Sequence, residues 1–228
     1  MRQLTSLIIR DGDIPALLHL RAYPSLVIMY VASIATTSRR DFVPMLGLVA
    51  SASVRDRFES PESTGLARFT NVRAVVEGAE PLASALALSD NGTDVTLEII
   101  NGLGEKKIGG RHTPMSDHLH SLLREFFRDE LADDAEYATA FDRAEVMLDA
   151  LAADTSAQRG WAGGFGRYTW RNKHSSTPVE LQMLDELTQQ CEACGPILDG
   201  LLGRSVDRAI SAFESVKVHA EMVRRQQW

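Results

Sequence analysis

The chain has 228 residues, of which 44% are apolar and 24% charged, and a net charge of −7. That length can bury a real core in one or two domains, and the composition is that of a globular chain. The acids are dense from 129 to 154, where Arg143 is the single counter-charge, and such a face disfavours wholesale binding of a phosphate backbone.

Two cysteines argue against a disulfide scaffold and for a reducing, cytoplasmic setting. The opening "MRQLTSLIIRDGD" has too short an apolar run for a secretory signal. The longest apolar stretch, "SLVIMYVASIA" at 25–35, is about half of what crosses a bilayer and reads as a buried helix.

In chain order, Asp13 and Pro15 mark a first helix that Tyr23–Pro24 breaks. A second helix is expected over about 25–37. A third, capped by Asp41, carries Phe42, Met45, Leu46 and Val49 on one face. Residues 56–80 lack a long period and read as loop, and "PLASALALS" reads as a short helix closed by the turn signal Asn91–Gly92. "TDVTLEIING" is a strand by its Val, Thr and Ile content or a helix by its length. "GLGEKKIGGRH" is a glycine-rich connector.

Beyond it, Thr113–Pro114 start a helix with Met115, Leu119, Leu122, Leu123 and Phe126 on one face. Tyr137, Phe141, Ala144, Leu148 and Leu151 form a second helical stripe. "TPVE" at 177–180 is a capping box that opens a helix at Pro178, and Gly195–Pro196 end it. Ser205 caps an amphipathic helix running to about Gln226. The expectation is therefore a mainly α fold, a multi-helix array of antiparallel hairpins with at most a minor β element around 93–100. Residues 1–55 would be an N-terminal helical segment, 56–112 a loop-rich connector and 113–228 a C-terminal bundle, or all three one domain.

"RGWAGGFGRYTWR" at 159–171 invites a phosphate-binding reading. A P-loop needs Lys and Ser or Thr after its glycines, whereas Arg167 and Tyr168 follow here. The segment reads instead as a turn that packs Trp161, Phe165, Tyr168 and Trp170 into the core. As a small-molecule or nucleotide sensor it would need Trp161, Tyr168 and Trp170 around a pocket on which Arg167 or Arg171 converges.

In "RHTPMSDHLH", His118 and His120 are two apart on a helix and point away from each other, so they do not chelate one ion. Cys191 and Cys194 form a single CxxC, short of a structural zinc set. No metal or cofactor is expected. Arg111 and His118, like Arg167 and His174, stand in a loose Arg-x6-His spacing, similar to the motif of helical ribonucleases of the HEPN superfamily. There His works as acid or base and Arg steadies phosphate charge. That is the alternative, enzymatic reading.

Four stretches, "LRAYPSLVIMY", "TPMSDHLHSLLRE", "FDRAEVML" with "GFGRYTWR", and "PILDGLLG", occur in an order that resembles the helical C-terminal region of certain bacterial, often actinobacterial, multidomain proteins. In those proteins the region follows a Sir2-like or P-loop domain and is associated with antiphage defence. The resemblance implies a non-catalytic helical region that senses a trigger, assembles a complex or binds a partner, and it transfers no catalytic residue. The upstream enzyme domain has no counterpart in the chain, so the expectation is a fragment or a separate subunit working with a nucleotide-binding or nuclease polypeptide, or a homo-oligomer. Candidate contact residues are Asp133, Asp134 and Glu136 on the acidic face, and Arg224 and Arg225 in the last helix.

Overall fold

The computed structural model describes residues 23–48, 53–55, 63–65, 80–104, 113–156, 166–171, 174–189 and 195–226. Along them run α1 (Tyr23–Arg39), α2 (Val43–Leu46), β1 (Ser53–Arg55), β2 (Ser63–Gly65), α3 (Glu80–Asp90) and α4 (Leu97–Gly104). Then come α5 (Pro114–Phe126), α6 (Asp134–Ser156), α7 (Tyr168–Arg171), α8 (Val179–Gln189), α9 (Gly195–Leu198), a 3-10 turn (Leu201–Arg204) and α10 (Val206–Gln226). The fold is mainly α.

The β content lies elsewhere than expected. Residues 97–104 are helical, and the strands are β1 and β2, an antiparallel pair that matches Ser53 with Gly65 and Arg55 with Ser63. The Asn91–Gly92 turn forms as read, with Gly92 at φ 83°, where glycine has no Cβ to clash. Gly195–Pro196 do not close a helix but begin α9. Ser205 caps α10 as read, its Oγ accepting from the Arg208 amide at 3.3 Å.

The organising element is α6. Every residue from Tyr137 to Ala153 is buried except Thr139 and Arg143, so neighbours enclose this helix on several sides. Alanines at 138, 140, 144, 150, 152 and 153 keep its surface low and let other helices come close. Its main partners are α1 and α10, with α8 also against it. Tyr30 of α1 meets Glu145, and Thr37, further along α1, meets the carbonyl of Ala140, so α1 and α6 run antiparallel.

The α5–α6 pair is an antiparallel hairpin by the same test: Ser116 meets Glu145, and Arg124 meets Asp134. Its mouth is closed by Arg124, which donates to Asp134 and to the carbonyls of Leu131 and Ala132 and lies 5.1 Å from the Tyr137 ring centre. One hydrophobic cluster runs from Leu26 and Tyr30 through Leu119, Phe141 and Met147 to Phe213 and Ala220. The N-terminal helix and the C-terminal bundle therefore share a core.

Two readings are corrected by this packing. The apolar face of α5 is Met115, Leu119 and Leu123, whereas Leu122 and Phe126 stand 47% and 65% exposed. Nor is the 129–154 run a solvated acidic face, because Asp142, Glu145 and Asp149 are buried.

Candidate functional site

The three buried acids of α6 stand at i, i+3 and i+7 and share one helix face. Each holds part of the 166–171 segment. The Tyr168 hydroxyl donates to Asp149 Oδ2 at 2.7 Å. Arg171 Nη1 lies 3.7 Å from Asp142 Oδ2. Glu145 acts through a relay: the Ser116 hydroxyl donates to Glu145 Oε1 at 2.5 Å and accepts from the Arg167 amide at 3.0 Å. Tyr30 donates to the same Oε1 at 3.0 Å.

From the far side Arg224 completes the clamp. It donates through Nε to the Thr169 carbonyl at 2.9 Å and through Nη2 to that of Tyr168 at 3.3 Å, and it grips Glu180 with both Nη atoms. Trp170 Nε1 donates to the Thr113 hydroxyl at 2.8 Å. Five helices and the segment between α6 and α8 are thereby tied by polar contacts around one point.

Burial pushes the Glu145 carboxyl well above its ordinary range, and Asp142 and Asp149 push the same way against the hydrogen bonds from Ser116 and Tyr30. Burial thus favours the protonated form of this carboxyl relative to an exposed one. Its Oε2 has no hydrogen-bond partner and is pressed against Gly166. Burial and the neighbouring Asp149 likewise raise the Tyr168 hydroxyl far above a normal phenol. A carboxyl only 1% exposed, bonded directly to α1 and α5 and through Ser116 to the 166–171 segment, is suited to holding helices together.

Among the expected site residues, Arg111 and Trp161 lie outside the described residues, as do the CxxC and most of the glycine cluster. Tyr168 is fully buried in the clamp, and Trp170 and Arg167 are part-buried, Arg167 Nε lying 4.0 Å from Asp117. Tyr168, Trp170, Arg167 and Arg171 thus each meet protein partners.

His118 is half-buried with Nε2 2.9 Å from the Tyr23 hydroxyl; desolvation lowers its pKa, with Asp90 pulling the other way. His120 packs on Tyr137 and Phe141 instead, and burial and then Arg167 bring it down to about 3. Among the described residues no group of three His, Cys, Asp or Glu is placed to hold a metal. No helix there is long and apolar enough to cross a membrane.

Asp133, Asp134 and Glu136 come together at the start of α6, all exposed, Asp133 Oδ1 capping the helix through the amides of Ala135 and Glu136. Arg225 is 81% exposed beside Glu221. Arg224 is a correction: its side chain is 13% exposed and faces inward. Its partner Glu180, read as the acid of a capping box, is fully buried under it and does not reach back to Thr177. Glu180, Glu145, Ser116 and Tyr30 are the important residues that periodicity missed. The one signal was an acid flanked on both sides in sequence by apolar residues, as Glu145 is by Ala144 and Val146 and Glu180 by Val179 and Leu181.

The chain matches no protein-family model, no curated protein and no solved structure.

Proposed function

We propose that the chain is a non-catalytic helical interaction module of a cytoplasmic, bacterial defence-type assembly, whose partner is a nucleotide-binding or nuclease subunit. The observation that carries this reading is the contrast between interior and surface. The ionisable groups around α6 are engaged in joining helices, while Leu122 and Phe126, one turn apart on α5, turn outward. The exposed acids Asp133, Asp134 and Glu136 follow across the α5–α6 turn. An apolar ridge followed by acids suits a partner with an apolar pocket rimmed by Lys or Arg, with the acids hastening encounter. The four-stretch resemblance to regions that accompany Sir2-like or P-loop domains supports the class of partner.

The test is a tagged pull-down from the native host, compared with the Leu122→Ser, Phe126→Ser double variant. A stoichiometric partner carrying a nucleotide-binding or nuclease domain, lost from the variant, is the expected result. A clean homo-oligomer that brings down no other chain would turn the reading toward catalysis, tested by RNA cleavage with His118→Ala.

A further inference from the structure

A cavity of about 150 Å³ opens where the α1–α2 turn, α6, α8, α9 and α10 converge. Its floor is apolar: Met147, Met183, Leu187 and Phe213 are each no more than 5% exposed. Two of the four are methionines, whose flexible thioethers adapt to an irregular guest. Its rim is charged. Arg143 grips Glu186 through two hydrogen bonds, at 3.0 and 2.6 Å. Arg40 stands beside them, exposed, and forms no ion pair among the described residues. Among the lining residues two arginines thus stand with one carboxylate, an excess of one positive charge at the mouth of an apolar hollow, while the Asp199 carboxylate lies beyond it, accepting from the Phe42 amide at 3.0 Å.

The backbone of Arg40 adds a second observation. It terminates α1 with φ 56°, the left-handed conformation that helix ends usually assign to glycine. The Asp41 amide closes the end by donating to the Thr36 carbonyl at 3.1 Å. Glycine would serve the turn with less strain, a cost that Leu202 and Arg204 also bear at φ 53° and 56°. Glu186 already feels the Arg40 side chain: its carboxyl is held below the ordinary range by Arg143 first and by Arg40 as well.

We infer that this cavity binds a small apolar monocarboxylate, the body filling the hollow over Met147 and Phe213 and the carboxylate pairing with Arg40. An apolar cavity of about this volume accommodates a benzene-sized guest, which sets the size of the acid at roughly that of benzoate. The proposal is independent of the assembly reading, which concerns another face.

The test uses the full chain with isotope-labelled methionine methyls, titrated with benzoate and with its neutral isostere benzamide. Benzoate is expected to saturate with a Kd of about 1 mM or tighter and to move the Met147 and Met183 methyl signals. Benzamide should bind about tenfold more weakly, since it lacks the charge-assisted contact. Arg40→Gly is the decisive variant. Glycine suits the φ at that position, so thermal stability should be unchanged or raised while benzoate affinity falls about tenfold. The inference is overturned if benzoate and benzamide bind equally, if Arg40→Gly binds benzoate as wild type does, or if the shifted methyls belong to other methionines.

Discussion

Gly166 lies directly on Glu145: a Cβ at Gly166 would stand 2.7 Å from Glu145 Oε2, and as near to the ring of Tyr168. Both neighbours are fully buried and tied by hydrogen bonds, so neither has room to give. Gly166→Ala is expected to cost about 1–3 kcal/mol through overpacking. Urea denaturation would check this, and an unchanged midpoint would show that the clamp is looser than its distances imply.

Glu145 gives the protein a pH dependence of definite sign. The carboxyl loses its proton near 4.5 when unfolded and keeps it far higher when folded. Between those values the folded state binds more protons, so this group's contribution is full below 4.5 and lost as pH rises toward its folded pKa. Glu145→Gln removes the titration but keeps an oxygen that can accept from Tyr30 and Ser116. Melting curves from pH 5 to 8 should show the variant gaining on wild type as pH rises, and parallel curves would refute a raised Glu145 carboxyl.

His120 has the opposite sign. Held near 3 when folded against 6.5 unfolded, it stays neutral in the fold, so stability declines as pH falls from 6.5 toward 3. His120→Phe keeps the packing on Tyr137 and Phe141 and removes the titration. Its stability relative to wild type should improve steadily from pH 6.5 to 4.5, measured by the same melting curves.

Arg224→Ala should be among the most damaging single changes, at about 3–5 kcal/mol, because it strands the fully buried Glu180 without a counter-charge. Adding Glu180→Leu removes the stranded charge and should restore part of the loss. Denaturant unfolding of the single and double variants separates the ion pair from the arginine's other two bonds, to the carbonyls of Tyr168 and Thr169.

On the surface, Asp133→Asn, Asp134→Asn and Glu136→Gln together should leave stability nearly unchanged, since Asn also caps helices. The same triple variant should slow association with the partner, most visibly at low salt, where exposed charges are least screened. Stopped-flow or surface-capture kinetics would read it, and an unaltered association rate would remove the acidic end of the hairpin from the interface.

Periodicity and caps in the sequence determined that the chain is mainly helical, where α5 and α10 begin, that 25–35 is helical, though it is buried on one face only with Ile28 54% exposed, and that Asn91–Gly92 turns. These are local properties, set by residues within one helical turn of each other. Only the tertiary structure decided which acids face water. Tyr30 reaches Glu145 across 115 positions and Arg224 reaches Glu180 across 44, and neither partner lies within a helical turn of the other. The apolar stripe of α6 is legible in the sequence, but a helix enclosed on several sides is also buried away from that stripe, so its acids read as a solvated face. The same limit misplaced Leu122 and Phe126: spacing assigns them to a face, but only the neighbouring helices determine whether that face is covered.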